Sequence, residues 1–233
     1  MPRPFTETER ETIRAKLMKA GRACFLRYGL KKTTIEDLTR PAGIAKASFY
    51  LFFDSKEKLF LEVFLLELPA MMERIMAASF GSTKDTREAL IRLMRAITHE
   101  MESNQFSRMM LDNPSELRQF ASSIDYEAVL QQVSVAYMPI VEKIAEAQTR
   151  GEIIEGDPFK LSFSLGLVKM LPLNRESLPE PLYLDMVELA PRIIAAGLTN
   201  PSLGAYAYAE KDQECIQQAQ RKSLSTKSKG GIR

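Results

Sequence analysis

Histidine and cysteine are scarce in this 233-residue chain, which has one of the first and two of the second. Cys24 and Cys215 are too few and too far apart for a disulfide scaffold, so the chain reads as reduced. His99 sits at helical spacing with Ala96 and Glu102, with no second histidine, no paired cysteines and no Gly-rich phosphate loop to accompany it. Metal, cofactor and nucleotide sites therefore lack support, and no catalytic set is present; the chain is expected not to be an enzyme and to need neither cofactor nor metal. Long apolar runs are missing as well. None approaches the roughly 20 residues that span a bilayer, and even "LFLEVFLLEL" is broken by Glu62 and Glu67. The start, "MPRPFTETERE", holds no apolar signal-peptide core. A cytoplasmic protein with no membrane partner is the expectation. Alternating β-branched stretches with hairpin turns are also lacking, as is any internal repeat, so strands are not expected.

What is present is ordinary in bulk and uneven in detail. Apolar residues at 45% and charged residues at 27% are globular values, and the length allows one large domain or two smaller ones. Residues 1–60 carry thirteen Lys/Arg against seven Asp/Glu, residues 61–205 thirteen against twenty, and residues 206–233 six against three. A basic N-terminal segment on an acidic body suggests that the first sixty residues meet an anion.

The periodic segments have helical spacing. Ile13, Leu17, Ala20, Cys24 and Tyr28 fall on one helical face, and Gly29 follows where a C-cap needs positive φ. Thr33 and Thr34 each have an acid three positions on, so either can open a second helix by a capping box. That helix, 34–41, ends at Pro41 and Gly43, and a third runs over 45–52. Asp54 and Ser55 are cap residues for a fourth, "KEKLFLEVFLLEL". Further helices are predicted at 85–103, 114–122, 125–149, 157–171 and 181–198, with Pro139, Pro172 and Pro191 expected to kink or end them. The Gln-, Lys- and Ser-rich end, 205–233, reads as a mobile tail. The fold class is all-α.

Two short helices joined by a tight turn at Gly43 are the organisation of a helix-turn-helix, whose second helix enters the DNA major groove. On this reading Ile35, Leu38, Ala42, Ile44, Phe49 and Phe53 pack beneath, while Lys46, Ala47, Ser48, Tyr50 and Leu51 face outward. Small residues at 47 and 48 let the backbone approach base edges, and Lys46 can reach a phosphate or a guanine. Thr33 and Thr34 can donate to phosphate beside free helix-start N–H groups. Lys56 stands against the helix dipole in a first turn, which a nearby phosphate explains.

The joint pattern of "CFLRYGLKKTTIEDL" and "AGIAKASFYLFFDSKEKLF" resembles the DNA-binding domain of the tetracycline-repressor (TetR) family, in order and without insertion over roughly forty-five residues. The resemblance implies an N-terminal three-helix domain, residues 9–55, joined through helix 4 to a C-terminal ligand-binding and dimerisation domain, residues 56–204. It also implies an obligate homodimer on a palindromic operator of double-stranded DNA. "RGEIIEGDP" resembles the approach to the family's penultimate helix. Two departures stand out: Ala45 lacks a side-chain N-cap, and Pro41 frays the end of helix 2.

In the body, ten of the twelve methionines lie between 71 and 186. Methionine adapts to varied guests, and bundle interiors hold apolar ligands. Candidates for a cavity binding a small, mostly apolar effector are Met94, Phe106, Met109, Met110, Phe120, Tyr137, Met138, Phe163 and Met170. Leu161, Leu165, Val168, Leu184, Val187 and Ile194, on the last two long helices, are expected to form the dimer interface. Helix 4, kinked at Pro69, is expected to carry the effector's signal to the DNA. The expected function is a DNA-binding transcriptional regulator, a repressor released by its ligand. A helical interaction module with a basic face, or an all-α enzyme, has no need of a Tyr and two lysines around a glycine turn.

Overall fold

The first helix begins where Thr6 and Glu9 cap each other: the Glu9 N–H donates to Thr6 Oγ1 at 3.3 Å and the Thr6 N–H to the Glu9 carboxylate at 2.8 Å. A computed structural model describes residues 5–112, 126–200 and 202, with side chains except those of 109–112 and 126–132. The described residues hold helices and no strand. In order these are α1 (Glu7–Lys32), α2 (Ile35–Ala42), a 3₁₀ helix (Lys46–Leu51), α3 (Lys56–Ala78), α4 (Thr86–Ser103), α5 (Gln105–Asp112), α6 (Tyr126–Thr149), α7 (Pro158–Leu165) and α8 (Glu180–Leu198). Between α7 and α8 the chain turns through 3₁₀ segments Gly166–Lys169 and Arg175–Ser177 and a single α-turn, Met170–Leu173. The helix expected at 114–122 and the tail from 205 lie outside the described residues.

Side-chain oxygens fix most helix starts. Ser55 accepts from the Lys58 N–H at 3.1 Å, Asp85 from Glu88 at 2.7 Å and Asp157 from Phe159 at 2.9 Å with Pro158 behind it. Each such cap stabilises its helix by about 1 kcal/mol. Gly29 breaks the path of α1 at φ 79°, as its position predicts, and one more turn follows before Thr33. Tyr28, expected on the buried face, lies at its edge and remains exposed under the Arg27 guanidinium.

Two cores form. The N-terminal one gathers Leu17, Phe25, Leu38, Phe49, Leu59 and Phe60, with Phe25 edge-on to Phe60 at 5.2 Å. The body core gathers Leu90, Leu93, Met94, Ile140, Ile144 and Leu165. Fully burying one such side chain contributes about 1.5–3 kcal/mol, so either cluster is enough to organise its helices. α3 joins them, with Leu59 and Phe60 in the first and Met72 and Ile75 in the second.

Pro69, Pro139 and Pro191 do not end their helices. α3 runs 23 residues straight through Pro69, and α6 and α8 likewise continue through Pro139 and Pro191. Each proline leaves one carbonyl four residues earlier without its usual N–H partner, a local loss that packing on both sides outweighs. α2 also passes Pro41 to end at Ala42. There the carbonyl that Pro41 cannot serve, that of Asp37, accepts from the half-buried Cys24 thiol at 3.8 Å. Among the described residues no helix is long and apolar enough to cross a membrane.

Candidate nucleic-acid interface and effector cavity

Thr34, not Thr33, caps α2: its hydroxyl accepts from the Asp37 N–H at 3.3 Å while the Asp37 carboxylate accepts from the Thr34 N–H at 3.0 Å. Gly43 ends the helix in the left-handed region at φ 73°, where a side chain is strained. Its N–H donates to Arg40 O, and the Ile44 N–H reaches Thr39 O, both at 3.2 Å. The chain then enters the recognition segment. The sequence predicts an α-helix over 45–52; the structure has a six-residue 3₁₀ helix. Ala45 supplies no side-chain cap, as expected, and so short a run closes readily with i→i+3 bonds such as Ser48 N–H to Ala45 O at 2.9 Å.

The faces divide as the sequence predicts. Leu38, Ala42, Phe49 and Phe53 are buried, with Ile35 and Ile44 packed against them. Lys46 and Ala47 are exposed, Ser48 half so, and Tyr50 and Leu51 each keep 56% of their surface. Lys46 Nζ lies 2.8 Å from Glu36, and this hydrogen bond holds the Glu36 carboxyl below its ordinary range. Both groups are in solvent, so the pair is weak and exchangeable.

Two expected phosphate ligands are placed otherwise. Thr33 is buried and its hydroxyl donates to Gly29 O at 2.7 Å, so this side chain serves the end of α1. The Lys56 ammonium donates to Leu30 O at 2.7 Å, Thr33 O at 3.0 Å and Lys31 O at 3.1 Å. Three donors meet three carbonyls at the negative end of α1, which accounts for a lysine that opposes the dipole of its own helix. Sequence reasoning also missed Arg10 and Arg14. Arg10 donates to Leu51 O and Arg14 to Phe52 O, both at 3.2 Å, closing the far end of the recognition segment, and their guanidiniums lie over Phe52 and Phe53. Their spacing on α1 was visible, but their partners about forty residues on gave no local signal.

In the body a cavity of about 230 Å³ opens between α3, α4 and α6. Met71, Met72, Ile75, Met101, Ile140 and Leu173 form much of its apolar wall. Its polar groups are Lys169, Tyr137, Glu100 and Ser107. Of the six candidates whose side chains are described, Tyr137 alone lines it. Phe163 stacks behind Tyr137, centroids 5.1 Å apart. Met94 is sealed in the body core and Phe106 in the N-terminal core, while Met138 and Met170 point to solvent. The side chains of Met109 and Met110, and all of Phe120, lie outside the described residues. Met71, Met72 and Met101 line the cavity in place of the described candidates Met94, Met138 and Met170, because 3.6-residue periodicity does not tell a core face from a cavity face. A wider groove of about 560 Å³, more open to solvent, adjoins it between Pro69 and Pro139.

The expected dimer residues split. Leu161, Leu165 and Val168 are buried in the protomer's own core, because α7 and its 3₁₀ extension turn their apolar face onto α4 and α6. Ile194 packs partly on the same core, Val187 is half-buried and Leu184 is exposed. Exposed apolar surface on α8 lies instead at Leu182, Leu189 and Ile193, with half-buried Met186 between them.

Residues 17–63 match the family described as bacterial regulatory proteins, tetR family. The chain is 25% identical over 148 residues, 63% of its length and 75% of the relative's, to the uncharacterized HTH-type transcriptional regulator YhgD of Bacillus subtilis (strain 168). It is 34% identical over 94 residues to the HTH-type transcriptional repressor KstR2 of Rhodococcus jostii (strain RHA1), a match spanning 39% of this chain and 46% of that one. A TetR-family transcriptional regulator from Pectobacterium atrosepticum shares the fold, with a TM-score of 0.64 at 22% identity, over 84% of this chain and all of that one. The structure of RolR in complex with resorcinol aligns with a TM-score of 0.59 at 15% identity, over 84% of this chain and 98% of that one.

Proposed function

We propose that this chain, whose residues 17–63 match the tetR family of bacterial regulatory proteins, is a DNA-binding transcriptional repressor of that family, held on a palindromic operator as a homodimer and released by a small, mostly apolar effector. The observation that carries the reading is the recognition segment itself. Lys46, Ala47, Ser48, Tyr50 and Leu51 stand outward on a base fixed by buried Phe49 and Phe53. Two small residues admit the groove, Lys46 exchanges Glu36 for phosphate or guanine, and Tyr50 and Leu51 meet base edges or methyl groups. The exposed Thr34 offers a second anchor at the start of α2.

Supporting the effector, the apolar cavity abuts α3, whose other end carries the Ser55 cap next to the recognition segment. RolR was captured with a small aromatic ligand, and KstR2 is named a repressor. Release requires the effector to bind the non-binding arrangement more tightly, typically by about 1–3 kcal/mol. Supporting the homodimer, Leu182, Met186, Leu189 and Ile193 form a stripe at coiled-coil spacing along α8. Pairing through it sets two recognition segments one DNA turn, roughly 34 Å, apart.

The test is an operator recovered by in vitro selection, titrated across a salt series. Tyr50→Ala and Lys46→Ala should each cost about 1–3 kcal/mol of affinity. A double variant that binds as tightly as wild type overturns the reading.

A further inference from the structure

Taking the cavity between α3, α4 and α6 as the effector site, we infer that its guest is an apolar carboxylic acid whose carboxylate sits on Lys169 and Tyr137. Lys169 Nζ donates to the Tyr137 hydroxyl and lies 4.7 Å from the centre of that ring, at the wall of a cavity otherwise lined mostly by methionine, leucine and isoleucine. Among the described residues no carboxylate pairs with this ammonium. Removing a cation from water without a counter-charge is costly, and burial pushes its pKa down to about 8, so near neutral pH it is still mostly charged. An incoming anion supplies a counter-charge.

The neighbouring groups fit one anionic head. Because Lys169 donates to the Tyr137 oxygen, the tyrosine's own O–H hydrogen is left to donate, and two donors converge on one wall. Glu100 also faces the cavity, but both its oxygens are taken by Arg74 Nε and Nη2 at 2.8 Å each, which offsets the charge that would otherwise repel an anionic guest. The body of the guest is set by volume. At about 230 Å³ the cavity exceeds the roughly 150 Å³ that accepts benzene, leaving room for roughly ten non-hydrogen atoms. Phe163 stacks on the outer face of Tyr137 and fixes that ring, so the donors are in place before the guest arrives.

The experiment titrates full-length protein calorimetrically with octanoate and 3-phenylpropanoate and with the primary amide of each. One pair tests a straight chain, the other an aromatic ring. At least one acid should bind roughly tenfold to a hundredfold more tightly than its amide, the span expected of a charge-assisted hydrogen bond. In Lys169→Met that preference should fall to within about twofold, and Lys169→Gln serves if the methionine variant does not fold. Failure of both acids to bind, amides equal to acids, or a preference that survives the loss of Lys169 each overturns the inference. Operator affinity is followed by fluorescence anisotropy in the same samples. Acid-selective binding that leaves operator affinity unchanged overturns the effector reading and leaves the ligand assignment standing.

Discussion

The ring of Phe106, on α5, lies 6.0 Å centre to centre from that of Phe60, on α3, so an element of the acidic body is built into the core beneath the DNA-reading helices. The next residue, Ser107, faces the cavity between α3, α4 and α6. Neighbouring positions on one short helix therefore look into the N-terminal core and the body cavity. Phe106→Ala should lower stability by about 3–5 kcal/mol, the usual cost of emptying an aromatic site. Arg22 of α1 also covers this ring at 5.9 Å. Amide exchange should accordingly quicken in α1 and the first turns of α3, well outside α5. Loosening confined to α4 and α5 argues against a shared core.

Lys56 separates a structural cation from a DNA ligand. Lys56→Met removes three charge-assisted bonds from the end of α1 and should cost about 1.5–3 kcal/mol of stability, read by chemical denaturation. The slope of operator affinity against salt should stay as in wild type. Lys46→Ala, by contrast, should leave stability within about 0.5 kcal/mol and, if it meets a phosphate, lower that slope by about 1. A reduced slope for the Lys56 variant restores it to the interface.

Leu189 and Ile193 keep 55% and 61% of their surface, so charge there should cost the protomer little. Leu189→Glu with Ile193→Glu should convert a dimer to a monomer by light scattering, with helical content retained and operator affinity lost. A double variant that remains dimeric places the contact elsewhere.

Lys169 gives stability a pH signature. Its folded pKa is lowered from 10.5 to about 8 by burial, so between those values the unfolded chain binds more protons and stability rises with pH. Below about pH 8 the full penalty applies, and above about 10.5 it is gone. Lys169→Met should therefore be the more stable protein at pH 7, by at most about 3 kcal/mol, with the difference vanishing at high pH. Denaturation of both proteins across pH 7–11 cancels the other titrating groups. A difference that is flat with pH refutes a desolvated amine.

The readable part of this molecule was the part with local signals. Gly43 needs positive φ, Thr34 and Asp37 form a capping box, and Phe49 and Phe53 share a face, so the recognition segment could be placed from sequence with its outward residues. Its 3₁₀ pitch could not, because helix type in six residues turns on the bonds at its ends. The intramolecular partners of Thr33 and Lys56 were not legible for one reason: both side chains serve the end of α1, which comes near them only on folding. Leu161 and Leu165 show the limit of periodicity, which finds an apolar face without saying whether the protomer or its twin covers it.

The basic residues of the N-terminal segment are not all available to a duplex. Arg10 and Arg14 cap the recognition segment from behind, Arg22 holds Glu67 at 2.6 Å, and Lys56 is tied to the end of α1. Each phosphate that a free cation neutralises releases condensed counterions and adds roughly 0.9 to the salt exponent, whatever the sequence beneath. Arg10 and Lys56 keep their charge on neutral carbonyls, whereas Arg14 and Arg22, paired with Glu62 and Glu67, have theirs partly offset. Breaking those two pairs, by Glu62→Gln with Glu67→Gln, should therefore steepen the salt dependence of attachment to arbitrary DNA while leaving base-edge contacts untouched. The same ion pairs that stiffen the reading head should then also shorten its stay on wrong sites.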